Sequence, residues 1–224
     1  MQLSIFKRSL KPLSEGAYHI PDFLSPQEQQ HLLSTCRKSL LSLRLKGFDL
    51  EHPKTHFGEM KVGVASLGHW WRLYQHYLPP RVPVPELIYE FCQRAITEVG
   101  LVTFAGIETV SAILQHYDPY KAPGVKLGLH RDDSEDTSLF GADAPPVVSF
   151  SLGCDAVFLW GGAEYTSPKE TVILLSGDVV LFGGHSRLFY HGINKVLPDT
   201  EPTFLKTRGR LNITVRQAVR AVQQ

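Results

Sequence analysis

Two histidines and one aspartate have the spacing of a metal site. His130 and Asp132 are two residues apart, so in a strand their side chains share one face and can bind one metal ion. His191 follows a predicted strand and is a candidate third ligand. Two histidines and one carboxylate with open positions form the facial triad of non-haem Fe(II) oxygenases. Because the chain contains 10 histidines, hydrogen-bonded or surface histidines are an equally good interpretation of these residues alone.

A strand near the C-terminus carries two arginines on one face. Apolar and polar residues alternate along it, and Arg210, Asn212, Thr214 and Arg216 share the polar face. This face predicts a polar jelly-roll interior, and a solvated edge strand is the alternative. Because the two arginines lie roughly 20 Å apart along a strand, they cannot clamp one carboxylate, but a dicarboxylate with one end near the metal could use both. The planar guanidinium binds a carboxylate through two hydrogen bonds and keeps its charge when buried.

Two helices are predicted before these strands. Ser25 begins a capping box, with proline at the first helical position and Glu28 three residues on, and apolar residues follow at helical spacing. This pattern predicts a helix over residues 26–46 that ends at Gly47. A second apolar stripe predicts a helix from Pro85 to Gly100, with short strands and loops between the two helices.

From about residue 110 the apolar residues recur with the period of two that is typical of strands. Glycine-rich turns separate the predicted strands, which cover residues 110–117, 147–152, 156–160, 171–175, 178–182 and 211–215. Since no helical pattern lies between them, an antiparallel jelly roll is favoured over a βαβ layout. We therefore expect an α+β, mostly β, single domain over residues 1–224. Residues 1–110 would form helices that pack on one sheet and a substrate-recognition lid, and residues 111–218 the catalytic jelly roll.

Composition restricts the class of protein. The 224 residues are 43% hydrophobic and 20% charged, with a formal charge of +1, which excludes a disordered chain and any bulk electrostatic attraction to polyanions. The three cysteines are widely separated and fit a reducing compartment. The sequence shows neither a signal peptide nor a membrane span. We therefore expect a cytoplasmic protein, with the nucleus as the alternative in a eukaryote, and we expect a monomer.

Five motifs occur in order from residue 122 to residue 218. They are APGVKLGLHRD (122–132), VVSFSLG (147–153), GDVVLFGG (177–184), SRLFYHGI (186–193) and RLNITVRQA (210–218). In these motifs the chain resembles the AlkB family of Fe(II)- and 2-oxoglutarate-dependent dioxygenases, and in particular its bacterial-type DNA repair branch. Residues 1–110 resemble the family more loosely, mainly after Ser25 and around residues 60–71.

The resemblance implies roles for the candidate metal ligands and for the polar face of the strand near the C-terminus. His130, Asp132 and His191 would bind Fe(II), and Arg210 would pair with the distal carboxylate of 2-oxoglutarate. Asn212 and Arg216 would line the same pocket nearer the iron end. By the same resemblance, 2-oxoglutarate and O2 would fill the open positions of the metal.

The family also uses an Asn-x-Tyr pair on the strand before its His-x-Asp motif. Gln115 and Tyr117 take these places here, and the stretch that follows is about four residues longer than in the family pattern. Tyr117 is therefore our choice for the cosubstrate hydroxyl, and Tyr120 remains an alternative.

The implied reaction is oxidative demethylation of 1-methyladenine and 3-methylcytosine, with release of formaldehyde, succinate and CO2. The implied partner is alkylated DNA, single-stranded or duplex, with RNA as an open alternative. Because these bases are cationic, an anionic pocket would select them. Ser134 replaces an acidic residue of the family pattern, and Glu135 follows it.

A base in a duplex must be flipped out and stacked before it can react. The resemblance makes His130 one stacking surface, and residues 47–81 are expected to supply the other. The candidate substrate-binding residues, several of which ordinary core packing explains equally well, are Met60, Trp70, Trp71, Arg72, Ser134 and Glu135.

Three other functions compete with this prediction. A 2-oxoglutarate dioxygenase that acts on a protein or a small molecule would keep every metal and cosubstrate residue. An inactive binding jelly roll is disfavoured because the triad and both arginines are intact. A zinc hydrolase could use the triad but has no use for the arginine pair.

Overall fold

The computed structural model describes residues 8–220 except 57, 76, 136–140 and 142. The described chain is mostly β, with two helices before the main run of strands. The helices are α1 (Pro26–Leu45) and α2 (Glu86–Val99). The strands are β1 (Lys11–Ser14), β2 (Ala17–Ile20), β3 (Lys54–Thr55), β4 (Gly58–Glu59), β5 (Gly63–Gly68), β6 (Val110–Tyr117), β7 (Leu127–His130), β8 (Val147–Gly153), β9 (Ala156–Trp160), β10 (Glu170–Leu174), β11 (Val179–Phe182), β12 (His191–Val196) and β13 (Arg210–Gln217).

Both helices begin and end as their sequences predict, within one or two residues. Ser25 caps α1 in a capping box, in which the Glu28 backbone N–H donates to Ser25 Oγ and Glu28 Oε2 accepts from the Ser25 N–H. Gly100 ends α2 in the left-handed conformation, with φ of 71°, which glycine adopts without steric cost.

The large sheet has seven strands in the order β1-β2-β11-β8-β13-β6-β5. β13 lies between β8 and β6, antiparallel to both, with Arg210 opposite Gly153 on one side and Tyr117 on the other. It is therefore a central strand, and every residue in it is buried. The alternative of an edge strand with a solvated polar face was wrong.

The small sheet has the order β10-β9-β12-β7. The apolar face of β13 packs with the helices in one hydrophobic cluster, while a second cluster holds residues of both sheets. The polar face of β13 lines the space between the sheets. The predicted jelly roll, with helices packed on one sheet, is thus confirmed.

Three local predictions differ from the structure. β7 ends at His130 and Asp132 lies beyond it, so the two side chains are not neighbours on one strand face. His191 is the first residue of β12 rather than a residue after a strand. The large sheet also includes β1, β2 and β5, because backbone pairing joins segments from residues 1–110 to the predicted core. Among the described residues, no helix is both long and apolar enough to cross a membrane.

Candidate active site

His130, Asp132 and His191 converge at one end of the small sheet. The pairing of β7 with β12 sets His130 directly opposite His191. The two Nε2 atoms each lie 3.7 Å from a different carboxylate oxygen of Asp132, and one ligand atom from each residue lies within 4.8 Å of the other two. Two imidazoles and one carboxylate at this spacing suit a non-haem Fe(II) ion with open positions.

Backbone contacts orient both imidazoles for metal binding. His130 Nδ1 lies 2.9 Å from the carbonyl of Gly128, and His191 Nδ1 lies 3.0 Å from that of Phe189. Because a carbonyl oxygen can only accept a hydrogen bond, Nδ1 carries the hydrogen in both rings, and each neutral imidazole keeps the lone pair of Nε2 for a metal. Burial, aided by the nearby His130, lowers the pKa of His191 to about 4, which keeps this imidazole neutral as a ligand must be.

A network of buried charges surrounds Asp132. Arg216 Nη1 lies 3.1 Å from Asp132 Oδ1 and 3.2 Å from Glu135 Oε1. Arg187 donates to the Asp132 carbonyl at 2.6 Å and to Glu135 Oε2 at 2.9 Å. Burial opposes ionisation of Asp132, but Arg216 and the two histidines hold its pKa well below the usual range. The carboxylate is therefore ionised and fixed before any metal binds.

Behind the triad, the polar face of β13 and the facing side chains of β6, β8 and the small sheet line a narrow cavity, the inner pocket. Arg210 is 1% exposed there and donates one hydrogen bond, to Ser151 Oγ at 3.0 Å. Its Nε and Nη1 have no hydrogen-bond partner among the described residues. Burial lowers its pKa, and a buried cation without a counterion is costly. A carboxylate in this pocket would supply both missing acceptors, so the residues present fit 2-oxoglutarate.

The other predicted cosubstrate residues also line the inner pocket. Gln115, Tyr117, Asn212 and Arg216 all contribute to its wall. Asn212 donates to Ser149 Oγ at 2.8 Å, which fixes its amide. Tyr117 is fully buried, and burial raises its pKa to about 12, so its hydroxyl keeps its proton and can donate it in a hydrogen bond.

Tyr120, the alternative to Tyr117, lies elsewhere. Its hydroxyl contacts the carboxylates of Asp199 and Glu201 at 3.0 and 2.9 Å, and its ring lies under Arg208. These contacts join the loop after β6 to the loop before β13. Tyr120 is not among the residues that line the inner pocket.

A wider cavity of about 680 Å³, the outer cleft, also adjoins the triad, since His130 and Asp132 contribute to its wall. Met60 and Trp71 line it from the segment between α1 and α2, and His130, Asp133 and Ser134 line it from the jelly roll. The Trp71 indole N–H donates to Ser134 Oγ at 3.0 Å, which fixes the ring in the wall of the cleft. The volume of the outer cleft lies in the range of small-molecule sites. The Trp71 indole offers a surface on which a flat ring could stack.

Three residues predicted to bind substrate lie outside the outer cleft. Trp70 is 2% exposed in the core and packs on Phe48, because consecutive residues of an extended segment point to opposite sides. Arg72 lines a separate neighbouring cavity. Glu135 is buried in its ion pairs with the two arginines.

Sequence reasoning did not assign three residues that support the site. Ser149 and Ser151 alternate on β8 and hydrogen-bond to Asn212 and Arg210. Two serines two residues apart in an otherwise apolar strand could have predicted that they share a polar face. Arg187 gave none, because only the fold brings it beside Glu135.

The chain is similar to known oxygenases. Residues 16–216 match the sequence profile described as the 2OG-Fe(II) oxygenase superfamily. The alpha-ketoglutarate-dependent dioxygenase AlkB of Escherichia coli strain K12 is 35% identical over 170 residues, which cover 71% of this chain and 72% of that protein.

A plant relative and a solved structure extend the similarity. DNA N(6)-methyladenine demethylase ALKBH1C of Arabidopsis thaliana is 44% identical across 90% of this chain. The alignment covers 48% of that protein, so this chain spans about half its length. The structure of OsALKBH1 superimposes with a TM-score of 0.77 and 28% identity, covering 93% of this chain and 100% of that one.

Proposed function

Because the chain belongs to the AlkB family of the 2OG-Fe(II) oxygenase superfamily, we propose that it is an oxidative demethylase of N-alkylated bases in nucleic acid. Its cofactors are Fe(II), 2-oxoglutarate and O2. When bound, they supply the oxidation of the N-methyl group, which leaves as formaldehyde while 2-oxoglutarate becomes succinate and CO2.

The observation that carries the proposal is that two residues of the triad line two different cavities. His130 and Asp132 line both the inner pocket and the outer cleft. A small dicarboxylate on one side and a flat base on the other would therefore reach the same metal ion. A zinc hydrolase would need no buried cationic pocket behind its metal.

The residues of the chain position the reactants. Arg210 would bind the distal carboxylate of 2-oxoglutarate through two parallel hydrogen bonds, and the Tyr117 hydroxyl and the Asn212 amide would orient its chain. Arg216 holds Asp132 by charge. Trp71 would stack on the base, opposite His130.

For the substrate, we propose 1-methyladenine and 3-methylcytosine in DNA, with RNA as an open alternative. The Asp133 carboxylate and the Ser134 hydroxyl line the outer cleft, and the carboxylate would attract these cationic bases. A second candidate is N6-methyladenine, the base in the name of the Arabidopsis relative, since a serine in place of an acid suits a neutral base. We further propose a monomer in the cytoplasm, or in the nucleus of a eukaryote.

The test is formaldehyde release by the protein loaded with Fe(II) and 2-oxoglutarate. The substrates are single-stranded DNA and RNA with 3-methylcytosine, DNA with N6-methyladenine, and an N-methylated peptide. We expect the fastest release from one of the nucleic acids. Release from the peptide alone would instead favour the dioxygenase that acts on protein, and no release from any of them would contradict the proposal.

A further inference from the structure

A cluster of two tyrosines and two cations lies beside the candidate active site. Tyr165 is 59% exposed, and its ring meets that of Tyr190 edge-on with centroids 5.4 Å apart. The Arg131 guanidinium lies 4.5 Å from the centre of the Tyr190 ring and donates to the Tyr190 hydroxyl at 2.8 Å. The Lys169 ammonium lies 5.6 Å from the centre of the Tyr165 ring. We call these four residues the rim platform.

The rim platform is joined to the triad by the backbone. Arg131 follows His130 and Tyr190 precedes His191, and these two histidines face each other across β7 and β12. The Gly161 N–H donates to the Tyr190 carbonyl and the Tyr190 N–H donates to the Gly162 carbonyl, and these two hydrogen bonds fix the start of the loop that carries Tyr165. Arg131 also lines the outer cleft, so the cleft and the rim platform form one continuous surface.

The chemistry of this surface suits a nucleobase. Unpaired bases stack on tyrosine rings and on arginine guanidinium planes whatever their sequence. Arg131 and Lys169 would lie near the phosphates on either side of such a base. The carboxylates of Asp133 and Glu164 interact electrostatically with Arg131 and help to raise its pKa. Their negative charges offset part of the attraction between Arg131 and the phosphates, so stacking must supply most of the binding.

Building on the proposed function, we propose that the rim platform is a stacking subsite for a nucleotide that flanks the alkylated nucleotide in single-stranded nucleic acid. The ring of Tyr165 supplies the exposed stacking surface, and Tyr190 and Arg131 hold it at the edge of the cleft. In a duplex the flanking base stays paired and stacked within the helix, so the subsite would contribute only with single strands.

The experiment measures kcat/KM for formaldehyde release from two single-stranded trinucleotides with a central 3-methylcytosine. One has normal flanking bases and the other has abasic sugars in both flanking positions. Four proteins are compared: wild type, Tyr165→Ala, Tyr165→Phe, which keeps the ring, and Ile173→Ala. Ile173 is 45% exposed on β10 and lines neither the inner pocket nor the outer cleft, so it is the matched surface control.

The measured quantity is the kcat/KM for the intact trinucleotide divided by that for the abasic one. We expect Tyr165→Ala to lower this ratio about tenfold, which is the loss typical of one stacked base. Tyr165→Phe and Ile173→Ala should keep the wild-type ratio. An unchanged ratio in Tyr165→Ala, including an equal loss on both trinucleotides, would overturn the proposal.

The result separates failure of the subsite from failure of the proposed function. If the wild-type protein releases no formaldehyde from either trinucleotide, the proposed function fails. Fluorescence polarisation with the same two trinucleotides, labelled at one end, then tests the subsite alone. A preference for the intact trinucleotide that Tyr165→Ala removes would support it, and equal affinities or no binding would overturn it.

Discussion

Arg216 Nη1 lies 3.1 Å from Oδ1 of Asp132, the carboxylate of the predicted metal triad. The same nitrogen lies 3.2 Å from Glu135 Oε1, and Glu135 in turn accepts a hydrogen bond from the Tyr77 hydroxyl at 2.8 Å. Tyr77 lies in the segment between β5 and α2. A chain of polar contacts therefore runs from this segment to the carboxylate of the predicted metal triad.

Glu135→Gln should strongly destabilise the fold. The change removes the negative charge that Arg187 and Arg216 share in the interior, and breaking a buried ion pair typically costs about 3–5 kcal/mol. Denaturant unfolding measures this loss. Asp133→Asn is the matched control because Asp133 is exposed, and it should change stability by less than about 0.5 kcal/mol. Equal stabilities of the two variants would contradict the role of Glu135.

Arg210→Met should raise the KM for 2-oxoglutarate and leave the melting temperature of the cosubstrate-free protein unchanged or higher. Arg210 is buried, and its Nε and Nη1 have no partner among the described residues, so its removal relieves a cost in the free protein. Each charged hydrogen bond lost to the cosubstrate contributes about 1.5–3 kcal/mol, and two such bonds predict a rise in KM of at least about a hundredfold. Arg210→Lys should not restore the wild-type KM, because lysine lacks the planar fork. An unchanged KM in Arg210→Met would remove Arg210 from the cosubstrate site.

Gly153→Ala should destabilise the corner of the sheet that positions Arg210. Gly153 has φ of +90°, and an added Cβ would lie 2.2 Å from the carbonyl oxygen of Gly209, so the backbone must move. Gly124→Ala is the matched control, since Gly124 also has a positive φ, of +73°, but no atom within 4 Å of an added Cβ. The control should lose about 1 kcal/mol, and Gly153→Ala clearly more. Thermal unfolding that ranks the two variants in the reverse order would contradict the close approach.

Asp155→Asn should stabilise the protein at neutral pH but not at pH 4. Burial and the charge of Asp178 raise the pKa of Asp155 to about 6, whereas the unfolded chain has the ordinary value of about 3.9. The folded state therefore binds the proton more tightly, and stability falls as the pH rises from about 4 to about 6. The asparagine variant escapes this loss. Melting temperatures at pH 4 and pH 7.5 measure it, and an equal difference at both values would rule out titration of Asp155.

The polar face of β13 shows how far the sequence could predict the site. Alternation of polar and apolar residues is a local property, so Arg210 and Arg216 could be assigned to one face before any fold was known. The triad followed from the family motifs that contain it, because Asp132 lies beyond β7 and does not share a strand face with His130. The helix boundaries followed from Ser25 and Gly100, whose effects are equally local.

The remaining features depend on contacts between distant segments. The burial of Glu135 depends on Arg187, which is 52 residues away along the chain. Trp70 is buried while Trp71 lines the outer cleft, and the sequence of this segment alone does not fix which of the two faces inward. The places of β2 beside β11 and of β1 beside β2 come from backbone pairing, which has no side-chain signature.

The most direct test of the central claim follows the methyl group itself. A single-stranded oligonucleotide with one 3-methylcytosine is incubated with Fe(II), 2-oxoglutarate and either the wild-type protein or Asp132→Ala, and its mass is measured together with succinate and formaldehyde. We predict that the wild type converts the lesion to cytosine with one succinate and one formaldehyde per methyl group, and that Asp132→Ala leaves it methylated. Retention of the methyl group by a folded wild-type protein with Fe(II) and 2-oxoglutarate bound would contradict the account.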